Sequence, residues 1–241
     1  MTSAAGGPRM PGGITTLVFD VLGTVVDEAG SIAAQTAAAL AGAQSGADAG
    51  ALAREWGERA DALTRSIAAG EEPWRPNDAI RRAALLDAAA ATGLTDVPAA
   101  TLDELALAGH RLAPWPDSAA ALRALAADVV VVALSNADLA QLAQMSAAGG
   151  LAWHGVLSAE LVKACKPDPA VYRLALDVLE LVPAQTMMVA AHPWDLRAAA
   201  AHGMRTAYVA RPGEGALAAG DQFEVCADDL ADLATILAPA A

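Results

Sequence analysis

A chain of 241 residues exceeds the common single domain of about 100–200 residues, which leaves room for a core domain with a smaller insertion. Acids outnumber bases 28 to 15, a formal charge of −13; this argues against nucleic acid, whose binders need a basic face to displace counterions from phosphates. Hydrophobic residues reach 55%, far from a disordered composition, though much of this is alanine, which favours helix more than it fills a core.

Met1–Gly13 is rich in Gly, Pro, Ala and Ser, lacks the apolar stretch of a signal peptide, and is expected as a disordered tail. Ile14–Phe19 is a short β-branched apolar run ending at Asp20, the pattern of a strand covered on both faces in a parallel sheet. Gly23-Thr24 then turns the chain. From Ala29 to Arg111 no comparable run occurs. Instead Leu52, Trp56, Ala60, Leu63 and Ile67 recur at helical spacing, closed by Gly70 and Pro73, and Ala79–Ala91 and Thr101–Leu112 read as two further helices.

After Pro114-Trp115-Pro116 the pattern alternates. Ser118–Ala126 is expected as helix, Val129–Leu134 as strand, Leu139–Ala148 as helix, Val156–Leu157 as a short strand and Pro169–Leu181 as helix. Thr186–Ala191 is then strand, Trp194–His202 helix, Thr206–Val209 strand, Phe223–Cys226 a last strand and Asp229–Leu237 a closing helix. Strict alternation argues an α/β fold with a doubly wound, Rossmann-like parallel sheet. The expected division is tail 1–13, core 14–28, helical cap 29–112 and core 113–241. No run approaches the roughly 20 apolar residues of a membrane span. Two cysteines, Cys165 and Cys226, make no disulfide framework or zinc spacing and read as reduced thiols of a cytoplasmic protein.

Open parallel sheets bind ligands beyond the carboxyl ends of their strands. There the chain carries Asp20, Thr24, Ser135, Asn136, Lys166, His192 and Asp195. Each has a purely structural reading: Asp20, Ser135, Asn136 and Asp195 as turn or helix caps, Lys166 as a solvated lysine, His192 as a packed loop residue. Their convergence on one end of the sheet is the signal.

Phe19-Asp20-x-x-Gly23-Thr24-Val25-x-Asp27, Leu134-Ser135-Asn136, Lys166-Pro167-Asp168-x-x-x-Tyr172 and Val189-Ala190-Ala191-His192-x-Trp194-Asp195 resemble, in order, the four motifs of the haloacid dehalogenase superfamily. The resemblance spans Ile14 to about Pro212, with the helical segment where the family inserts its cap. The last two motifs resemble the 2-haloacid dehalogenase branch, including relatives that cleave fluoroacetate. It implies a hydrolase of a small halogenated organic acid, with Asp20 as nucleophile and an aspartyl-ester intermediate. Lys166 would orient Asp20, Asp195 would act beside Lys166 and the hydrolytic water, and Ser135 and Asn136 would hold the substrate carboxylate. Thr24, His192 and Tyr172 would complete the catalytic set, and Asp168 caps the helix that follows. No cofactor or metal is required by this scheme. A homodimer is a possibility that the resemblance leaves open.

Leu22 is the branch point. Phosphatases of the superfamily carry a second aspartate there as general acid and base; leucine transfers no proton, and a departing halide needs none. Characterised 2-haloacid dehalogenases usually have tyrosine at this position and an arginine directly after a cap tryptophan, which receives the halide. Here Gly57 follows Trp56. Trp56, Trp194, Leu22 and Arg59 are therefore expected as substrate contacts, with Arg54 the alternative cation. The rival readings are a magnesium-dependent phosphohydrolase, with Asp20 and Asp195 as ligands, and a noncatalytic binder of small acids.

Overall fold

In the first strand, Thr16–Phe19 (β1), every residue is buried. Leu17 and Phe19 enter one hydrophobic cluster and Val18 the other, as the twofold alternation of a strand dictates when both faces are covered. The structure, a computed structural model, describes residues 10–238. The expected tail therefore lies mostly outside the described residues. Its end does not behave as a tail: Met10 is buried, a tight turn covers Pro11–Gly13, and Gly12 O accepts from Arg205 Nη1 at 2.6 Å.

Beyond β1 come β2 (Val26–Asp27), α1 (Glu28–Gly42), α2 (Ala49–Ala68), α3 (Asn77–Ala91), α4 (Ala99–Ala106) and β3 (Ala113–Pro114). The core continues as α5 (Ser118–Ala126), β4 (Val130–Ser135), α6 (Leu139–Gly149), β5 (Gly155–Ser158), α7 (Pro169–Val178), β6 (Thr186–Ala190), α8 (Pro193–Ala200), β7 (Arg205–Val209), β8 (Val225–Ala227) and α9 (Leu230–Ile236). Six parallel strands lie in the order β5-β4-β1-β6-β7-β8. The chain winds outward on one side of β1 and then, from β6, on the other. β1 is thus the switch point, where crossovers diverge and leave a crevice at the strand's carboxyl end. Leu122, Leu142 and Leu230 cover one face and Val171, Tyr172 and Leu196 the other.

The helical segment α1 to α4 leaves and re-enters the core through β2 and β3, which pair antiparallel with Val26 opposite Pro114. Several elements differ from the sequence reading. Helix α3 starts at Asn77 rather than Ala79. Pro76 offers no side-chain cap, but Asp138 of the core accepts from the N–H groups of Asn77 and Asp78 at 2.8 and 2.9 Å. The helix expected over Thr101–Leu112 gives way after Ala106 to a 3₁₀ turn, Leu107–Arg111, where His110 Nε2 meets Asp78 at 2.9 Å. Helix α1 shows so little apolar periodicity among its alanines that the sequence reading assigned it no element. At the far end, the last strand is Val225–Ala227, while Phe223 stacks on Tyr208 instead.

Candidate active site

The ladder between β1 and β6 runs to its last bond, Asp20 N–H to Val189 O at 3.0 Å, so Asp20 leaves the sheet from a fixed backbone. Gly23 then takes φ +74°, and a β-carbon there would meet Glu214 Oε1 at 2.6 Å and His192 Cε1 at 3.0 Å; only glycine fits both the conformation and the space. Trp115 Nε1 donates to Gly23 O at 2.9 Å, and the buried Arg211 Nε donates to Thr24 O at 2.9 Å. This turn aims Thr24 back at the strand end: its hydroxyl donates to Asp20 Oδ2 at 2.8 Å and accepts from Ala191 N–H at 2.9 Å.

Lys166 Nζ lies 3.2 Å from Asp20 Oδ1 and 2.8 Å from Asp195 Oδ2. Its backbone N–H donates to Asn136 Oδ1 at 2.8 Å, which ties the β4 loop to the lysine. Asp195, in the first turn of α8, has no exposed surface and accepts the Tyr172 hydroxyl at 2.5 Å on its second oxygen. His192 Nδ1 sits 3.0 Å from Asp20 Oδ2, and its Nε2 sits 3.0 Å from Glu214 Oε2.

Burial works to raise the Asp20 pKa, but Lys166 and His192 outweigh it and hold the carboxyl well below the usual carboxylate range. Burial also opposes the charges on Lys166 and His192. The carboxylates beside them prevail: Lys166 is raised, and His192 is pushed up to about 10 by its bonds to Asp20 and Glu214. Asp195 is pushed up, first by burial and also by the Asp20 charge. The resting site therefore presents an ionised Asp20 between an ammonium and an imidazolium.

A cavity of about 620 Å³ opens over Asp20, walled by core loops on one side and α2 and α3 on the other. Leu22, Asn136, Lys166, His192 and Trp194 line it. Two expected contacts do not. Trp56 is fully buried and donates its Nε1–H to Arg81 O at 2.8 Å; it is core. Arg59 is bound to Glu55 one turn away, on a face of α2 turned from the cavity, because the face that looks inward carries Ala60, Thr64 and Ala68 with Asp61 and Arg65. Ser135 is completely buried, and its hydroxyl accepts from Ala137 N–H at 3.1 Å, so it shapes the loop that presents Asn136. The two carboxylates weighed as magnesium ligands are bridged by Lys166, a cation of the chain's own. Among the described residues, no group of three or more His, Cys, Asp or Glu is placed to hold a metal.

The sequence reading missed Glu214, Arg65 and Arg81. Glu214 follows β7 and obeys the same strand-end rule that flagged the others. Arg65 and Arg81 lie on helices whose inward face depends on packing. Arg81 is held by Asn77 Oδ1 and Glu28, and burial lowers its pKa to about 10. Cys165 is buried, and burial lifts its thiol to about 11, leaving it inert.

A doubly wound sheet with a carboxylate at its switch point, a lysine fixed between two acids and a helical insertion above defines a class of hydrolase. The chain belongs to the haloacid dehalogenase-like hydrolase family, whose model matches residues 14–203. It is similar to (S)-2-haloacid dehalogenase 1 of Pseudomonas sp. (strain CBS-3), 35% identical over 105 residues, 42% of this chain and 46% of that protein. The match thus spans about half the length of this curated relative. Solved structures align more fully. A defluorinating L-2-haloacid dehalogenase is 34% identical over 96% of this chain and 99% of its own, with a TM-score of 0.88. Another L-2-haloacid dehalogenase is 35% identical over 92% and 98%, with a TM-score of 0.85.

Proposed function

We propose that the protein hydrolyses the carbon–halogen bond of a small 2-haloacid through an ester on Asp20. The observation that carries this reading is the geometry at Asp20, held by Lys166, Thr24 and His192 beneath a cavity in which Leu22 stands where a phosphatase needs a proton donor. The named activities of the similar proteins support it. The cap of this enzyme would be the helical stretch between β2 and β3, close to the 29–112 expected from the sequence.

An Asp20 oxygen attacks carbon 2, the new C–O bond forms as the C–halogen bond breaks, and halide leaves with the bonding pair. Fixing the nucleophile removes most of the entropy of the encounter. Lys166 keeps Asp20 unprotonated and in place; Asp195 and Tyr172 lie behind and position Lys166. Asn136 gives one side of its amide to the Lys166 backbone and keeps its N–H groups for the substrate carboxylate. In place of Arg59, the cap offers Arg65 and Arg81 as the cations facing the departing halide.

Esterification cancels the Asp20 charge, one of the two anions that hold the His192 proton. Its pKa then falls, the imidazolium releases its proton to solvent as the net proton of the reaction, and the neutral ring, oriented by Glu214, takes a proton from water. The water oxygen adds to the ester carbonyl. Collapse breaks the acyl C–O bond, the 2-hydroxyacid leaves with the proton from His192, and the Asp20 carboxyl then passes its own proton to His192, which restores the carboxylate and the imidazolium. A single turnover in heavy-oxygen water tests this scheme. The label is expected in the Asp20 carboxylate, with an unlabelled product hydroxyl and no halide release by Asp20→Asn. Label in the product hydroxyl alone would overturn it.

A further inference from the structure

The cavity is much larger than a two- or three-carbon haloacid requires. Such a molecule fills roughly 120 Å³, the room of about four waters at ~30 Å³ each, against about 620 Å³ over Asp20. The latter lies within the range of pockets for ligands several times that size, about 300–1,000 Å³. The excess has a defined origin. The inward face of α2 carries Ala60 and, two turns on, Ala68, with Ala69 following at the helix end, so the cap wall recedes. The core side of the cavity carries Leu22 and Trp194, a residue 42% exposed with its ring 5.6 Å from the His192 ring. An exposed tryptophan at the mouth of a cavity that also holds the nucleophile is an apolar platform next to the reacting carbon.

We infer that the substrates are 2-haloacids with a longer apolar chain at carbon 2, which lies along Leu22 and Trp194 and fills the space before Ala60, Ala68 and Ala69. The inference rests on the proposed dehalogenation and specifies its substrate class. The charged groups on the wall do not contradict it. Arg81, paired with Glu28, and Arg65 serve the halide end of the substrate, and the alanine face is the part of the cap wall left for a hydrocarbon chain.

The test is halide release from a homologous series, bromoacetate through 2-bromooctanoate, as kcat/KM. Each methylene buried on binding carries about 0.8 kcal/mol, so kcat/KM should rise about fourfold per carbon over the first several members. Halide release that is fastest for the shortest acids and falls along the series would overturn the inference and leave the chemistry standing; no halide from any member would overturn both. Ala68→Leu, in the last turn of α2 where leucine costs almost nothing in helix propensity, and, independently, Ala69→Leu just past it refill the space. Each should cut the ratio of 2-bromohexanoate to 2-bromopropionate kcat/KM by tenfold or more. An unchanged ratio in both variants would overturn the assignment of the alanine face.

Discussion

Replacing Lys166 by methionine keeps a chain of similar length and removes one charge from a site where it faces two. At an effective dielectric of about 20, unit charges 3.2 Å apart attract by ~5 kcal/mol and those 2.8 Å apart by ~6 kcal/mol. Part of this offsets the desolvation of the lysine itself, so the expected net loss is that of breaking a buried ion pair, about 3–5 kcal/mol at neutral pH. The two carboxylates, still buried, must then take up a proton. An acid whose folded pKa is raised loses stability as pH rises above its unfolded value near 4, so the deficit of the variant should be smaller at pH 5 than at pH 8. With Asp20 no longer held ionised, turnover should fall about a thousandfold, the kinetic equivalent of ~4 kcal/mol. Urea denaturation at the two pH values and halide release at neutral pH measure both effects. A turnover loss below tenfold, or a stability deficit independent of pH, would refute the account of Lys166 as the counter-charge of Asp20.

The folded pKa of His192 is raised, to about 10, so its contribution to stability is complete below its unfolded value near 6.5 and is lost as pH climbs from there to about 10. His192→Gln should therefore lose most relative to the wild type at pH 6 and draw level near pH 10, as thermal melts across that range would reveal. The same variant should accumulate the Asp20 ester, visible as a mass increase on the intact protein, because halide displacement does not need the base and ester hydrolysis does. Asp138→Ala removes the cap that the core lends to α3 and should lower stability by about 1–2 kcal/mol, read from urea unfolding; an unchanged midpoint would deny the cap any weight.

The alternation of strand and helix after Pro116, the buried run before Asp20 and the breadth of helix between were legible in the sequence because they follow from period and polarity alone. So was most of the proposed catalytic set. Asp20, Thr24, Asn136, Lys166 and His192 all sit at or just beyond strand ends, and a parallel sheet brings strand ends together whatever its side chains. Two kinds of information stayed hidden. The rotation of α2 about its axis, which buries Trp56, sends Arg59 to Glu55 and turns Ala60, Ala68 and Arg65 inward, depends on how α2, α3 and the core pack, and an alanine-rich helix gives too weak an apolar face to fix it. Glu214 and Asp138 act on groups 22 and about 60 residues away. A carboxylate's partner at that separation is set by the fold that brings the two together, so Glu214 beside His192 and Asp138 at the start of α3 became readable only once the tertiary structure had placed them.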